Sequence, residues 1–276
     1  MNEITAEKRK RGRPRSTSPN NNSSIVLALD RGLIILEAIA QLQSATLSEL
    51  ALHVDMPPSS VHRVLITLQS HGFASFDSGV QEWAIGIGAF RIGSTYLERS
   101  NLIEVSLKVM RELTAQTGET SNLGIQEAGN IVFVLQVETK NPIRAMFSQG
   151  TGSPMHASGI GKALLAEMTE PEVHKILTKH GQTAFTPHTL VSPKTLSADL
   201  DVVLANGWAI DNEERYVGMR CIAAAVHNEQ GQAIAGLSIS APTARFTDSV
   251  LAETGPIVRA AAQKLTAMIG GKARLS

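Results

Sequence analysis

The chain has 276 residues, enough for one large domain or two of ordinary size. Hydrophobic residues make up 43% of it, and 25 basic residues balance 25 acidic ones, which indicates a globular protein with sizeable cores. A single cysteine, Cys221, excludes an intramolecular disulfide and is typical of a reducing compartment. No run of about 18 apolar residues could span a membrane, and the N-terminus lacks the apolar stretch of a secretory signal. We therefore expect a cytoplasmic protein without a membrane partner.

The charge is unevenly distributed along the chain. Residues 1–24 carry six basic side chains against two acidic ones, a net of +4, whereas residues 25–100 carry a net of −3. This polar tail cannot bury an apolar core, so it is predicted to be disordered in isolation. Its Arg-Gly-Arg-Pro stretch is similar to an AT-hook, whose arginines, here Arg11 and Arg13, enter the minor groove of A·T-rich DNA. A solvated basic tail without such contacts is the open alternative.

Residues 25–87 are predicted to form a winged helix-turn-helix. Apolar positions at helical spacing mark one helix in residues 25–42 and a short second helix in "TLSELALHVDM". In "PPSSVHRVLITLQSHGF" the double proline ends a turn and opens a third helix, because proline is tolerated at the first helical position. Asp-Ser-Gly at residues 77–79 then predicts the turn of a β-hairpin. Three helices followed by a hairpin are typical of a fold whose third helix lies in the major groove of DNA.

The third helix has two distinct faces. Val61, Val64, Leu65 and Leu68 form an apolar stripe that would face a core. The other face carries short hydroxyl groups and a guanidinium group, which are side chains that contact phosphates and base edges. The predicted contacts with double-stranded DNA are Pro58, Ser59, Ser60, His62, Arg63 and Thr67. An ordinary amphipathic surface helix is the alternative when this helix is considered alone.

The remaining chain is predicted to be a connector helix and a second domain. Residues 88–116 have a helical pattern with one apolar stripe, which could pack on a second copy or on its own domain. From residue 117 to 270, clusters of strands with helices between them predict an α+β fold built on an antiparallel sheet. One of the predicted strands is "IRAMFS", residues 143–148.

Several stretches together resemble the IclR family of bacterial transcriptional regulators. They include "ALDRGLIILEAIA", "PPSSVHRVLITLQSHGF", "PMHASGIGKALLA", "GWAIDNEERYVGMRCIAAAV" and "GLSISAP", and they occur in family order over about residues 25–270. The resemblance implies an N-terminal winged helix that binds operator DNA and a C-terminal effector-binding domain of GAF-like fold. It also implies dimers through the DNA-binding half, often paired into tetramers, and a small-molecule effector without a cofactor.

Within the family, the chain is most similar to the branch that senses glyoxylate. That branch holds its small carboxylate effector with a Ser-Gly-small helix start, an aspartate, a cysteine and a Ser-x-Ser strand. The corresponding residues here are Ser158, Gly159, Ile160, Asp211, Cys221, Ser238, Ile239 and Ser240. Ile160 departs from the pattern, because a smaller residue is expected there, and it would narrow the pocket or shift ligand choice. Another small carboxylate such as pyruvate is the alternative effector.

The chemistry of these residues agrees with a small oxo-acid as ligand. N–H groups at a helix start suit a carboxylate, and Ser238 and Ser240, two apart on a strand, point to one face. Hydroxyls, a thiol and amides could therefore hold the acid without a strong cation. In one alternative, Ser238 and Ser240 are polar residues that fill a sheet face and bind no ligand. Cys221 with His156 and Asp211 could instead form a hydrolase nucleophile or a zinc site, although the spacing is not typical of zinc. We expect no catalytic residue and no metal ligand.

Overall fold

The computed structural model describes residues 25–98, 101–144, 147 and 149–272. The chain divides into two compact units between Tyr96 and Leu97, within the segment predicted as the connector helix. The basic tail with Arg11 and Arg13 lies outside the described residues. Within the described ranges, no helix has the length and apolar character needed to cross a bilayer.

The first unit contains three helices, a small sheet and most of a fourth helix. These elements are α1 (Leu27–Leu42), β1 (Ser44–Thr46), α2 (Leu47–His53), α3 (Pro58–Ser70), β2 (Ala74–Asp77), β3 (Glu82–Ile85) and α4 (Ile87–Glu98). The sheet is antiparallel with the order β1-β3-β2. The predicted winged helix-turn-helix is confirmed. Strand β1 was not predicted, because three residues are too few to show a period and pairing with β3 alone makes them a strand.

The turn between α2 and α3 follows from the residues in it. Asp55 adopts a left-handed conformation with φ 49°, and Pro57 precedes the helix with extended backbone. Pro58 is the first helical residue, where its missing N–H leaves no intrahelical bond unmade. Val61 and Leu65 are completely buried in the unit's core. The double proline therefore fixes where α3 begins, and the apolar stripe fixes which face is left exposed.

The predicted hairpin connects β2 to β3. At its turn, the carboxylate of Asp77 accepts a hydrogen bond from the N–H of Gly79 at 2.7 Å. The left-handed residue of the turn is Gln81, with φ 59°, rather than the glycine. The rings of Phe76 and Trp83 lie 4.9 Å apart and join the two strands.

The second unit is an antiparallel sheet with helices on both faces. Its elements are α5 (Asn101–Thr117), β4 (Thr120–Glu127), β5 (Asn130–Val137), β6 (Gly152–Pro154), a 3-10 turn (Met155–Ala157), α6 (Gly159–Leu165), α7 (Glu170–His180), α8 (Pro193–Asn206), β7 (Ala209–Asn212), β8 (Met219–His227), β9 (Ala233–Pro242) and α9 (Asp248–Met268). The strand order is β6-β5-β4-β9-β8-β7. The predicted α+β class is confirmed.

Each face of the sheet has its own core. Helices α5 and α9 cover one face, where Leu237 is completely buried with Val258. Helices α6 and α8 cover the other face, where Ile160 packs over the strand backbone. Two strand glycines make room for that side chain, since a Cβ atom at Gly236 would lie 2.5 Å from Cγ2 of Ile160. Helix α6 consequently lies against the middle of the sheet.

The strand predicted at residues 143–148 is absent at its described positions. Ile143 is 69% exposed in a bend, and the guanidinium of Arg144 pairs with Glu138 at 2.8 Å. The third strand at this edge is β6, which pairs with β5. Ile143 faces solvent rather than a core, so an apolar residue at this position did not indicate a strand. The helical pattern of residues 88–116 corresponds to α4 and α5, which lie on either side of residues 99–100, outside the described part of the chain.

Candidate effector pocket and DNA-binding helix

Seven of the eight predicted effector residues line one cavity in the second unit. The cavity lies between the start of α6 and the sheet face on which α6 packs. The seven residues are Ser158, Gly159, Ile160, Asp211, Cys221, Ser238 and Ser240. The cavity volume is about 20 Å³. Such a volume holds roughly one water molecule, so a ligand of several heavy atoms must displace side chains of the lining as it binds.

Strand register explains why residues distant in sequence meet at this cavity. Asp211 on β7 pairs with Cys221 on β8, which in turn pairs with Ser240 on β9. Paired residues of neighbouring strands point to the same face, so the three side chains form a row across the sheet. Ser238 precedes Ser240 by two residues and faces the same way, as the spacing predicted.

Helix α6 begins directly above this row. A Cβ atom at Gly159 would lie 3.1 Å from Sγ of Cys221, so glycine permits the close approach. The preceding Ser158 caps the helix by accepting a hydrogen bond from the N–H of Gly161 at 3.3 Å. The first N–H groups of a helix have no partner within it. Those of Gly159 and Ile160, at the first two positions of α6, therefore have no partner within the helix.

Ile239 is the predicted effector residue that does not reach the cavity. Its side chain is completely buried on the opposite face of the sheet, in the core formed with α5 and α9. The reason is the two-residue period of a strand, which turns Ile239 away from the face shared by Ser238 and Ser240. The resemblance covered the whole Ser-x-Ser stretch, whereas only its two serines contribute side chains to the pocket.

Four further residues line the cavity and were not found from the sequence. They are Phe133, Phe147, Ser153 and Arg215. The rings of Phe133 and Phe147 stack at 4.7 Å and give the pocket an apolar wall. Sequence reasoning expected no strong cation at this site, whereas Arg215 belongs to the lining. Neither aromatic side chain nor this arginine lies in a motif that sequence spacing could connect to the serines.

The hydroxyl of Ser238 is the most informative atom in the pocket. The side chain is completely buried, and its Oγ has no hydrogen-bond partner in the described part of the chain. The thiol of Cys221 lies close enough for the hydroxyl to donate to its sulfur, but sulfur is only a weak acceptor and does not replace an oxygen or nitrogen partner. Oγ of Ser240, in contrast, accepts a long hydrogen bond of 3.4 Å from the side chain of Asn122. A buried hydroxyl without a partner has lost its hydrogen bonds to water, and this costs free energy unless a ligand supplies the missing bond.

The pocket shifts the titration of its acidic groups. Burial raises the pKa of the Cys221 thiol to about 12, and the neighbouring Asp211 carboxyl adds to this shift. Burial also raises the pKa of Asp211 to about 6, although its bond from the N–H of Glu214 and the charge of Lys162 oppose the rise. Cys221 is therefore a neutral thiol at physiological pH, and a neutral thiol is a poor nucleophile.

A buried ion cluster lies next to the pocket. The ammonium group of Lys162 on α6 is completely buried and contacts Glu214 at 2.5 Å and Asp199 at 2.8 Å. Burial raises the pKa of Glu214 to about 7, while the charge of Lys162 opposes that rise. The N–H of Glu214 donates to the carboxylate of Asp211 at 2.8 Å. The cluster thus connects α6, α8 and the loop between β7 and β8.

The hydrolase and zinc alternatives both need His156 to meet Cys221 and Asp211. Nε2 of His156 lies 3.1 Å from the carbonyl oxygen of Thr183, and its ring stacks with Phe185 at 5.9 Å. His156 is outside the cavity lining. Among the residues that the structure describes, no three His, Cys, Asp or Glu side chains are grouped as metal ligands.

A larger cavity lies between α7 and α8. Its volume is about 420 Å³ and its walls are mostly apolar, with Leu177 and Leu200 among them. None of its described lining residues carries a buried polar atom without a partner. The small cavity combines such an atom with converging polar groups, so it is the better candidate for a specific ligand site despite its size.

The exposed face of α3 is the candidate nucleic-acid interface. Five of the six predicted DNA contacts, namely Pro58, Ser59, His62, Arg63 and Thr67, are exposed, and Ser60 is half-buried. The Thr67 hydroxyl donates to the carbonyl oxygen of Arg63 at 3.0 Å, one turn earlier in the same helix. Arg63 makes no ion pair with the residues that are described. Its guanidinium therefore remains available for a phosphate or a base.

The fold is that of a DNA-binding transcriptional regulator, as the comparison with family models shows. Residues 94–267 match the family model described as bacterial transcriptional regulator IclR C-terminal, and residues 28–78 match the IclR helix-turn-helix domain. The chain therefore belongs to the IclR family. Regulators of this family bind small-molecule effectors, and the chain is a regulator rather than an enzyme.

Individual relatives match nearly the whole chain. The HTH-type transcriptional regulator BhcR of Paracoccus denitrificans is 45% identical over 95% of this chain and 95% of its own length. The HTH-type transcriptional repressor AllR of Escherichia coli K12 is 36% identical over 97% of this chain and 98% of its own. The crystal structure of an IclR transcriptional regulator from Alicyclobacillus acidocaldarius covers 89% of this chain and 100% of its own. Its TM-score of 0.79 at 21% identity shows that the fold is shared.

Proposed function

We propose that this protein represses transcription from an operator bound by α3 and the hairpin, and that glyoxylate in the small cavity controls this binding. The observation that carries the proposal is the buried hydroxyl of Ser238, which has no oxygen or nitrogen partner among the described residues and lies beside Ser240 and Cys221. The similarity to AllR, which is named as a repressor, supports repression. The operator partner and the single cysteine fit a cytoplasmic location.

Glyoxylate is favoured over pyruvate because it is the smaller acid and needs the smaller expansion of this cavity. The cavity has a volume of about 20 Å³, and Ile160 occupies the space above Gly124 and Gly236. Pyruvate has an additional methyl group that needs room against Ile160 or the phenylalanine wall. Overpacking by a methyl group costs about 1–3 kcal/mol in a close-packed site. Pyruvate is therefore the second candidate effector.

The effector must bind two states of the protein with different affinities. A ligand with equal affinity for the DNA-competent and DNA-incompetent states would not shift the equilibrium between them. Coupling of about 1–3 kcal/mol is typical and would change operator affinity roughly 5- to 150-fold. The connector region is the covalent link between the two units, so it is where we expect this coupling to act.

The proposed assembly is a homodimer through the first unit, with pairing into tetramers. On α1, Leu29 is 62% exposed and Leu33 51%, and on α4 Phe90 is 65% exposed. Leu29 and Leu33 are one helical turn apart and form a continuous apolar surface, which supports a protein partner rather than solvent. Sedimentation of the wild type and of Leu29→Asp tests this. A variant that sediments like the wild type would contradict the dimer surface.

The basic tail is proposed to add electrostatic affinity for DNA. Each phosphate neutralised by a basic residue contributes about −0.9 to the slope of log affinity against log salt concentration. Deletion of residues 1–24 should therefore weaken DNA binding and flatten its salt dependence. An unchanged slope would show that Arg11 and Arg13 make no DNA contact.

Calorimetry with a panel of small acids tests the effector site. Glyoxylate, pyruvate, glycolate and oxalate are titrated into the wild type and into the double variant Ser238→Ala, Ser240→Ala. Hydrogen bonds to charged groups contribute about 1.5–3 kcal/mol each, so the double variant should lose detectable glyoxylate binding. Its affinity for DNA duplexes selected from a random pool should be unchanged in a gel-shift assay.

Ser106→Ala is the matched control for this experiment. Ser106 on α5 is also completely buried with an unpartnered hydroxyl among the described residues, but it does not line the cavity. The Ser106→Ala variant should bind glyoxylate like the wild type. Wild-type affinity in the double serine variant would place the effector elsewhere and refute the proposed site.

A further inference from the structure

Arg215 lies in the loop between β7 and β8 and lines the proposed effector cavity together with Asp211 and Cys221. Its guanidinium carbon lies 3.9 Å from the ring centre of Phe185 and 5.3 Å from that of Tyr216. A guanidinium over an aromatic face is held by attraction to the ring. The two aromatic side chains therefore restrict where the charge of Arg215 can lie.

The charge of Arg215 is not compensated by an acidic neighbour at contact distance. The side chain is half-buried, yet its guanidinium takes part in no ion pair or hydrogen bond with the described residues. Two other arginines of the same unit differ, because Arg220 pairs with Asp248 and Arg245 with Glu119. A partly desolvated guanidinium without a counter-ion is well suited to receive a carboxylate.

The field of Arg215 extends into the pocket. Its positive charge favours the ionised form of Asp211 and the neutral form of His156, although burial is the larger influence on the pKa of both groups. An anion entering the cavity would be attracted by this charge and repelled by the carboxylate of Asp211, so the charge of Arg215 offsets that repulsion. The serines, by contrast, are neutral and supply hydrogen bonds without a net charge of their own.

We propose that Arg215 is a specificity-determining residue, which attracts the carboxylate of the effector and makes the pocket select acids over neutral analogues. This inference rests on the proposed function, because it concerns the same cavity. In this arrangement Arg215 supplies the charge at the loop side, while Ser238 and Ser240 supply hydrogen bonds from the sheet. A charge-assisted hydrogen bond from Arg215 gives the carboxylate a higher affinity than a neutral residue at this position would give.

The test measures discrimination between an acid and a neutral molecule of similar size. Glyoxylate and glycolaldehyde are titrated calorimetrically into the full-length wild type, Arg215→Gln and Arg215→Lys. Arg215→Gln should weaken glyoxylate binding roughly 10- to 100-fold, the range of one charge-assisted hydrogen bond, and leave glycolaldehyde binding nearly unchanged. Arg215→Lys should lie between the two, because it keeps the charge but loses the planar fork.

Arg111→Gln is the matched control, since it removes the same charge from an exposed position on α5. It should preserve the wild-type ratio of the two affinities. Equal glyoxylate affinity in the wild type and Arg215→Gln would overturn the role of Arg215 and leave the proposed function standing. A wild type that binds no small acid would overturn both. Equal loss of glyoxylate and glycolaldehyde binding would also overturn the inference, since it would indicate a role in shape rather than charge.

Discussion

The DNA-binding helix and the effector pocket present polar side chains in opposite ways. Helix α3 keeps Val61 and Leu65 in its core and exposes Ser59 and Arg63 on the other side. The pocket instead gathers side chains from α6 and three neighbouring strands and surrounds them with protein. The exposed side chains of α3 can therefore be exchanged with little effect on folding. In the pocket, stability and ligand binding depend on the same buried groups.

The ion cluster beside the pocket should give the largest effect on stability. Lys162→Met removes the buried cation and leaves Glu214 and Asp199 without their partner. Breaking a buried ion pair from one side costs about 3–5 kcal/mol of unfolding free energy. Urea denaturation measures this loss. Lys175→Met, at an exposed position on α7, is the control and should unfold like the wild type. Wild-type stability in Lys162→Met would show that the buried groups beside the pocket matter no more for folding than the exposed side chains of α3.

The next largest effect should occur on the exposed helix and should leave stability unchanged. Arg63→Ala is expected to weaken operator binding by about 1–3 kcal/mol, selectively at one base position if the guanidinium reads a guanine. A uniform loss across sequences would indicate a phosphate contact instead. Fluorescence anisotropy with operator variants distinguishes these results. Arg91→Ala removes an equal charge from an exposed position on α4 and serves as the control. Unchanged affinity in Arg63→Ala would refute the proposed DNA contact.

The two regions also differ in how far the sequence predicted them. The face of α3 could be read from helical spacing alone, because Val61, Leu65 and the exposed residues between them belong to one continuous segment. The pocket required the resemblance to the family, since Ser158 and Ser240 meet only through strand register and the packing of α6. Even so, the resemblance included Ile239, which the alternation of a strand turns away.

Tertiary contacts that leave no local pattern could not be predicted from the sequence. Arg215 reaches the cavity because the loop after β7 places it over Phe185, which comes from another part of the chain. The cluster of Lys162, Asp199 and Glu214 likewise joins residues from three separate segments. Strand β1 exists only through its pairing with β3. Each of these features depends on long-range packing, which residue spacing does not encode.

A smaller effect should appear in the pH dependence of stability. Burial raises the pKa of Glu214 from about 4.5 to about 7 in the folded protein. Between these values the unfolded chain releases its proton while the folded protein retains it, so stability falls as pH rises. The raised pKa of Asp211 acts in the same direction. We expect the wild type to lose roughly 1–2 kcal/mol more than Glu214→Gln between pH 5 and pH 8. Urea midpoints of the wild type and Glu214→Gln that change equally between pH 5 and pH 8 would contradict this prediction.

The smallest effect is expected from the sulfur atom of the pocket. With a pKa of about 12, the Cys221 thiol is protonated at neutral pH and can contribute only as a neutral hydrogen-bonding group. A serine hydroxyl provides a donor and an acceptor at the same position, so Cys221→Ser should change glyoxylate affinity by less than about 1 kcal/mol in calorimetry. Cys221→Val keeps the approximate volume without the donor and should bind more weakly. If serine instead impaired binding as severely as valine, a sulfur-specific bond to the aldehyde carbon would be indicated. In that case the pocket would act through covalent chemistry rather than through the neutral hydrogen bonds proposed for it.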